Sequence, residues 1–221
     1  MTFANLIDPV SLAIVLGGTC IATLLRCGWR EVVITAGEIR QLLGEPFDAD
    51  VARAELARQI QDIQRDGLVR AQPHHFGDRE FDEVADVLIN QRSIAALLGS
   101  HEKHKKRRQR LSNTAVRLFA QAAELAPVFG MVGTLISLNK LAGGASSENF
   151  TAAIAMAVLT TLYGLLVANL IFAPLSRVIE RAAEREELER QRLVDWLARQ
   201  VHEACPDAGP FERRSRAREV A

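Results

Sequence analysis

The chain has 221 residues, 27 basic and 27 acidic side chains and a formal net charge of zero, with 48% hydrophobic and 24% charged residues. Those averages suit a soluble domain, but the placement does not, because 28 consecutive residues from Asn149 to Ser176 carry no Asp, Glu, Lys, Arg or His. A bilayer-spanning helix needs about 20 apolar residues, so the run excludes a simple soluble enzyme. The balanced charge argues against a nucleic-acid binder.

The three cysteines, Cys20, Cys27 and Cys205, show neither CxxC nor metal-ligand spacing and read as free thiols. No signal peptide is read, since a basic n-region is missing ahead of the first apolar run.

That first run, PVSLAIVLGGTCIATLL (residues 9–25), is 17 residues without charge, at the short limit for a span. It follows a short N-terminal segment, residues 1–8. Residues 26–114 then read as a helical loop domain. Within it VARAELARQIQDIQRDGLV sets Val51, Leu56, Ile60, Ile63 and Leu68 at helical spacing, with Gly67 as the stop. Breaks are read at Gly44-Glu45-Pro46 and at Pro73–Gly77, followed by an amphipathic stretch from Phe81 to Gly99. The basic run HEKHKKRRQR (residues 101–110) leads into the next span and reads as a contact for anionic lipid that also fixes topology.

The second span is placed at residues 115–141, with LAPVFGMVGTLISLN as its clean centre, and the third at residues 150–175. A turn over residues 142–149 joins them. The tail, residues 176–221, continues the third span as a charged helix that breaks at Pro206 and ends in disorder. Of the 27 Lys and Arg, 15 lie between Arg26 and Arg110 and 10 from Arg177 onward. The positive-inside rule therefore sets the loop domain and tail in the cytoplasm, with the N-terminus and the 142–149 turn outside. The expected fold is an all-α membrane protein with three transmembrane helices, N-out and C-in.

Two faces of small residues stand out. Ala126, Gly130, Gly133, Thr134 and Ser137 share one face of the second span. Ala153, Ala157, Thr160, Thr161, Gly164 and Ala168 share one of the third. Small residues let helix backbones approach closely in lipid, so these are packing faces. The threonines admit two readings, as hydroxyls lining a wet ion path or as hydroxyls bonding back to their own helix. Pro127 and Pro174 each remove a backbone donor and mark kinks or hinges. Glu124 reads as a member of an interfacial or interhelical pair, and Asp8 as lying just outside the membrane. On that reading the chain has no titratable group of its own at mid-membrane. The five histidines do not form a metal site, and no catalytic residues, phosphate-binding loop or cofactor motif is found.

The segment APVFGMVGTLISL, a short loop, and then AVLTTLYGLLVANLIFAPL resemble the MotA/TolQ/ExbB proton-channel family. TTLYGLLVAN followed by Pro174 is most similar to the flagellar-stator A-subunit branch, and the opening DPVSLAIVLGGT to that branch's second span. The resemblance covers about residues 7–30 and 115–180, together with the IQRDGL piece. It implies a homopentamer around two copies of a single-span partner of the MotB/ExbD/TolR kind, which carries a proton-accepting Asp. It also implies a bacterial inner-membrane location with the outside as periplasm, and a transported ion, H+, in place of any cofactor.

By position Thr134 and Thr161, with Thr160 beside them, match the channel lining, and Pro127 and Pro174 match the family's prolines. Gly130, Gly133, Gly164, Ala157 and Ala168 remain packing positions. Arg65 matches an arginine offered to a cytoplasmic rotor, although Gln72 stands where a glutamate would follow. Three spans, beginning at what resembles the branch's second, is the ExbB/TolQ layout. An energiser of outer-membrane processes therefore stays open beside a motility motor, as does a passive membrane scaffold.

Overall fold

The computed structural model describes residues 8–42, 47–66, 80–83, 86, 94–139 and 147–204, and every described segment is helical apart from short connections. In chain order these are α1 (Pro9–Cys27), α2 (Trp29–Leu42), α3 (Ala49–Asp66), a helical stretch at residues 80–83, α4 (Ile94–Asn139) and α5 (Ser147–Leu166). A π-helical segment (Val167–Phe172) then leads directly into α6 (Ala173–Ala204). Three helices, α1, α4 and the continuous α5–α6, are long and apolar enough to cross a membrane.

The chain divides into two compact units. One comprises Met1–Gly44 with Leu111–Ala182, the other Glu45–Arg110 with Ala183–Ala221. The helix through residues 94–139 is unbroken at the 114/115 boundary and contains 46 residues.

In the membrane unit, α1 begins where Asp8 accepts hydrogen bonds from the Val10 and Ser11 amides, with Pro9 supplying a pre-set first turn. It ends at Gly28, whose φ of 83° lets the chain turn while its N–H donates to the Leu24 carbonyl at 2.8 Å. Its buried stripe is Ser11, Val15, Thr19 and Thr23, four residues apart and small. Thr19 satisfies its hydroxyl on the Val15 carbonyl at 2.6 Å. Gly18 abuts Phe129, so that any Cβ there would overlap the ring. Ile39 of α2 packs against Ala115, Phe119 and Ile179, and a second cluster joins Ala126, Val167 and Ala168 with Leu16.

The other unit has its own core. Ala52 and Leu56 of α3, Phe81, Leu97 of α4, and Leu193, Val194, Leu197 and Val201 of α6 are all buried together. Asp48 caps α3 by accepting from the Asp50 and Val51 amides. The expected apolar face of α3 is rotated: Val51 is exposed and Ala52 takes the inward position one helical turn before Leu56. The side chains of Ile60 and Ile63, and all of Gly67, Leu68, the 73–77 break, the 140–146 connection and Pro206, lie outside the described residues.

Candidate functional site

The two small-residue faces meet each other. A Cβ on Gly164 would lie 2.7 Å from the Ala126 carbonyl oxygen and 3.2 Å from the α-carbons of Gly130 and Pro127. One on Gly130 would lie 3.0 Å from the Thr160 carbonyl oxygen and 3.2 Å from the Thr161 α-carbon. Gly133 faces the Thr160 side chain, where an added Cβ would come within 2.6 Å. Backbone therefore touches backbone between α4 and α5, the geometry that small residues permit and larger ones forbid. Ala126, Ala153 and Ala168 are buried on the same faces, and Ala157 is half-buried.

The three threonines all bond within their own helices. Thr134 donates to the Met131 carbonyl at 2.6 Å, and Thr160 and Thr161 both donate to that of Ala157, at 2.9 and 3.3 Å. Their surroundings differ. Thr160 is fully buried against Gly133, whereas Thr134 and Thr161 are half-buried. Each hydroxyl that donates backward keeps its oxygen lone pairs free to accept or to face an ion. Back-bonding and lining are thus compatible at Thr134 and Thr161.

Both prolines sit in continuous helix. Pro127 lies inside α4, beside the Gly164 contact. Pro174 is the second residue of α6, directly after the π segment, where the Ala173 amide reaches back to the Ala168 carbonyl. A proline ring collides with the carbonyl four residues earlier, and widening the preceding turn relieves that collision without breaking the helix. Asn169 lies within the widened turn and donates to the Leu165 carbonyl at 2.9 Å. The sequence announces Pro174 but not the π segment, since a wide turn has no residue signature of its own.

Glu124 has the interhelical partner expected of it, Arg26 at the end of α1, 3.8 Å away. The Asp8 amide donates to the Tyr163 hydroxyl of α5 at 3.1 Å. Tyr163 is 13 residues past Phe150, about 20 Å along the helix axis. On the portions of α4 and α5 that run beyond this level, Leu135, Leu138, Ile154 and Val158 are exposed apolar side chains that call for lipid or a partner helix.

The basic run divides by face. Glu102, Lys103, Lys106, Arg107 and Arg110 are exposed, while His101 and His104 are buried and Lys105 and Arg108 half-buried. The inward set meets acids. Arg108 donates to Glu187 at 2.9 and 3.2 Å and pairs with Glu80. Arg190 pairs with Glu186 at 2.9 Å and stacks its guanidinium 4.1 Å from the centre of the Phe47 ring. His101 sits 3.3 Å from Gln191 and 3.8 Å from Glu187. Burial pushes its imidazole below the ordinary range, outweighing the raising effect of Gln191 and Glu187.

Arg65 belongs to the last turn of α3, with its side chain outside the described residues, as is all of Gln72. Among the described residues no group of three His, Cys, Asp or Glu side chains is arranged to hold a metal.

Residues 74–192, more than half of the chain, match the model of the MotA/TolQ/ExbB proton channel family. The chain is 29% identical over 216 residues to the uncharacterised protein YtxD of Bacillus subtilis strain 168, spanning 88% of this chain and 73% of that one. It is 27% identical over 202 residues to motility protein A of Cereibacter sphaeroides, spanning 88% of this chain and 78% of that one. Among solved structures, C. jejuni MotAB superposes with a TM-score of 0.81 at 17% identity, over 92% of this chain and 81% of the matched one. The flagellar MotAB stator complex from Bacillus subtilis does so at 0.77 and 18% identity, over 98% of this chain and 90% of the matched one. The chain has the fold of those stator structures and belongs to the MotA/TolQ/ExbB proton channel family.

Proposed function

We propose that the chain is the channel-forming stator subunit of an ion-driven motor in a bacterial inner membrane. Five copies surround two copies of a single-span, Asp-bearing partner of the MotB kind. The partner's carboxylate takes up H+ and changes its contacts with the ring near Thr134 and Thr161, and the resulting stepwise rotation is passed to a rotor through the charged unit, with Arg65 on the contacting surface. The Lys/Arg distribution supports an orientation with the N-terminus outside and the charged unit in the cytoplasm. The observation that carries this reading is the backbone-tight α4–α5 pair, which holds two half-buried threonines at fixed heights on a membrane-spanning scaffold.

The test is Thr161→Val, which keeps the shape and removes the hydroxyl. Motor output or partner-dependent proton flux is expected to fall about five-fold, the effect of a barrier raised by about 1 kcal/mol, with complex abundance in membranes unchanged. Undiminished flux would remove Thr161 from the ion path. Purification of the complex without a single-span partner would overturn the motor reading and favour a passive scaffold.

A further inference from the structure

Where α1 ends, the chain turns at once into a second helix. Leu25, the last residue of the first apolar run, is 81% exposed, Gly28 turns the backbone, and α2 opens on Trp29, which is 69% exposed. The Cys27 thiol donates to the Gln121 side chain of α4 at 2.9 Å, and Ile39 of α2 packs against Ala115 and Phe119 of the same helix. From Trp29 to Ile39 α2 runs about 15 Å, whereas Gln121 and Ala115 are only about 9 Å apart along α4. α2 therefore crosses α4 obliquely and stays near the level at which α1 stops.

The residues of α2 are sorted by chemistry around the helix. At about 100° per residue, Trp29, Arg30, Val33, Ala36, Gly37 and Arg40 fall within one arc of about 120°, and all of them are exposed. Thr35 is buried on the other side, its hydroxyl satisfied by the Glu31 carbonyl at 2.8 Å. Both acids of the helix, Glu31 and Glu38, are half-buried on that inward side. The outward arc thus offers apolar surface and cations with no carboxylate among them. Tryptophan settles at the boundary between headgroups and acyl chains, and arginine heads reach the phosphates while their stems lie along apolar surface.

We propose that α2 is an interfacial helix whose outward face, Trp29, Arg30, Val33 and Arg40, seats in the headgroup layer of the leaflet at which α1 ends and recruits anionic phospholipid there. The face continues the exposed apolar surface of a span, from Leu25 into Trp29, so lipid that covers the one reaches the other. Arg26, between them, is engaged by Glu124 at 3.8 Å, which leaves the recruitment to Arg30 and Arg40. The placement requires α1 to span the membrane and holds whether or not ions flow.

Tryptophan fluorescence of the full complex in vesicles tests it, because the chain has two tryptophans, Trp29 and Trp196. The emission that Trp29→Phe removes from the wild type is that of Trp29, and Trp196→Phe, with Trp29 as the chain's remaining tryptophan, gives the same reading independently. In phosphatidylcholine vesicles, lipid brominated on its acyl chains close to the headgroup is expected to quench this emission at least about two-fold. At an equal, small fraction of labelled lipid, brominated phosphatidylglycerol is expected to quench about five-fold more efficiently than brominated phosphatidylcholine, the enrichment that one cation at headgroup level supports. Arg30→Gln with Arg40→Gln is expected to bring that ratio to near one and to leave the quenching by brominated phosphatidylcholine in place. Emission quenched by iodide and not by brominated lipid would put the face in water, and emission quenched by neither would mean that a second copy of the chain covers it. Either result, or equal quenching of the wild type by the two lipids, would overturn the proposal.

Discussion

Gly164→Leu is expected to eliminate the assembled protein from membranes, reducing its folded yield at least about ten-fold. The reason lies in what surrounds the missing side chain. The nearest atoms to an added Cβ are the Ala126 carbonyl oxygen at 2.7 Å and the α-carbons of Gly130 and Pro127 at 3.2 Å, all of them backbone. A flexible side chain would swing aside, but backbone in two long helices moves only if the helices separate. Overpacking a tight site costs about 1–3 kcal/mol when side chains can adjust. Here separation would also forfeit the contacts of Gly130 and Gly133 along the same seam, so the upper end or beyond applies. Gly164→Ala should show a smaller loss in the same direction. Gly17→Ala, where an added Cβ meets nothing within 4 Å, should leave the yield unchanged. Yield in membrane fractions by immunoblot, with detergent-resistant assembly by size-exclusion chromatography, reads all three. Normal assembly of Gly164→Leu would mean that the α4–α5 seam is not closed.

The seam was legible in the sequence because it depends on two things a sequence displays, the absence of charge and the angular clustering of small residues. The helical rods were legible for the same reason, and Pro174 marked the place where the last rod changes its winding. The register of α1 against α5 was not legible. A hydropathy run gives a length and a direction, but only a cross-helix contact such as Asp8 to Tyr163 fixes how far one helix slides along another. The inward half of the basic run was equally hidden. Its histidines and arginines look like a membrane-facing cluster until Glu80, Glu83 and Glu187, distant in sequence, are brought to it. Charge counts locate a compartment, whereas pairing needs the fold. Val51 and Ala52 show the same limit on a smaller scale. One position of helical rotation separates them, and an alanine carries too little apolar weight to reveal which is inward.

Glu187→Leu is expected to lower the thermal midpoint of the purified protein by about 6–12 °C, from a loss of about 3 kcal/mol in a chain of this length. Glu187 accepts two hydrogen bonds from the Arg108 guanidinium, and both side chains are less than one-fifth exposed. Removing the acid strands Arg108 and the nearby Lys105 beside one another with one fewer counter-charge in a poorly hydrated place. The cost is thus that of a poorly hydrated cation left with Glu80 as its remaining partner, not the net worth of the pair. That distinction predicts the double variant. Arg108→Leu with Glu187→Leu removes both charges and adds apolar surface, so it should recover more than half of the lost midpoint. Arg108→Leu alone should resemble the other single variant, because it leaves Glu187 facing Glu80 across the space the guanidinium had occupied. A double variant no more stable than either single would show that the hydrogen bonds themselves hold this unit together. Recovery would show that their role is to choose one alignment of α4 and α6 while the apolar core of Leu97, Leu193, Val194 and Leu197 supplies the stability.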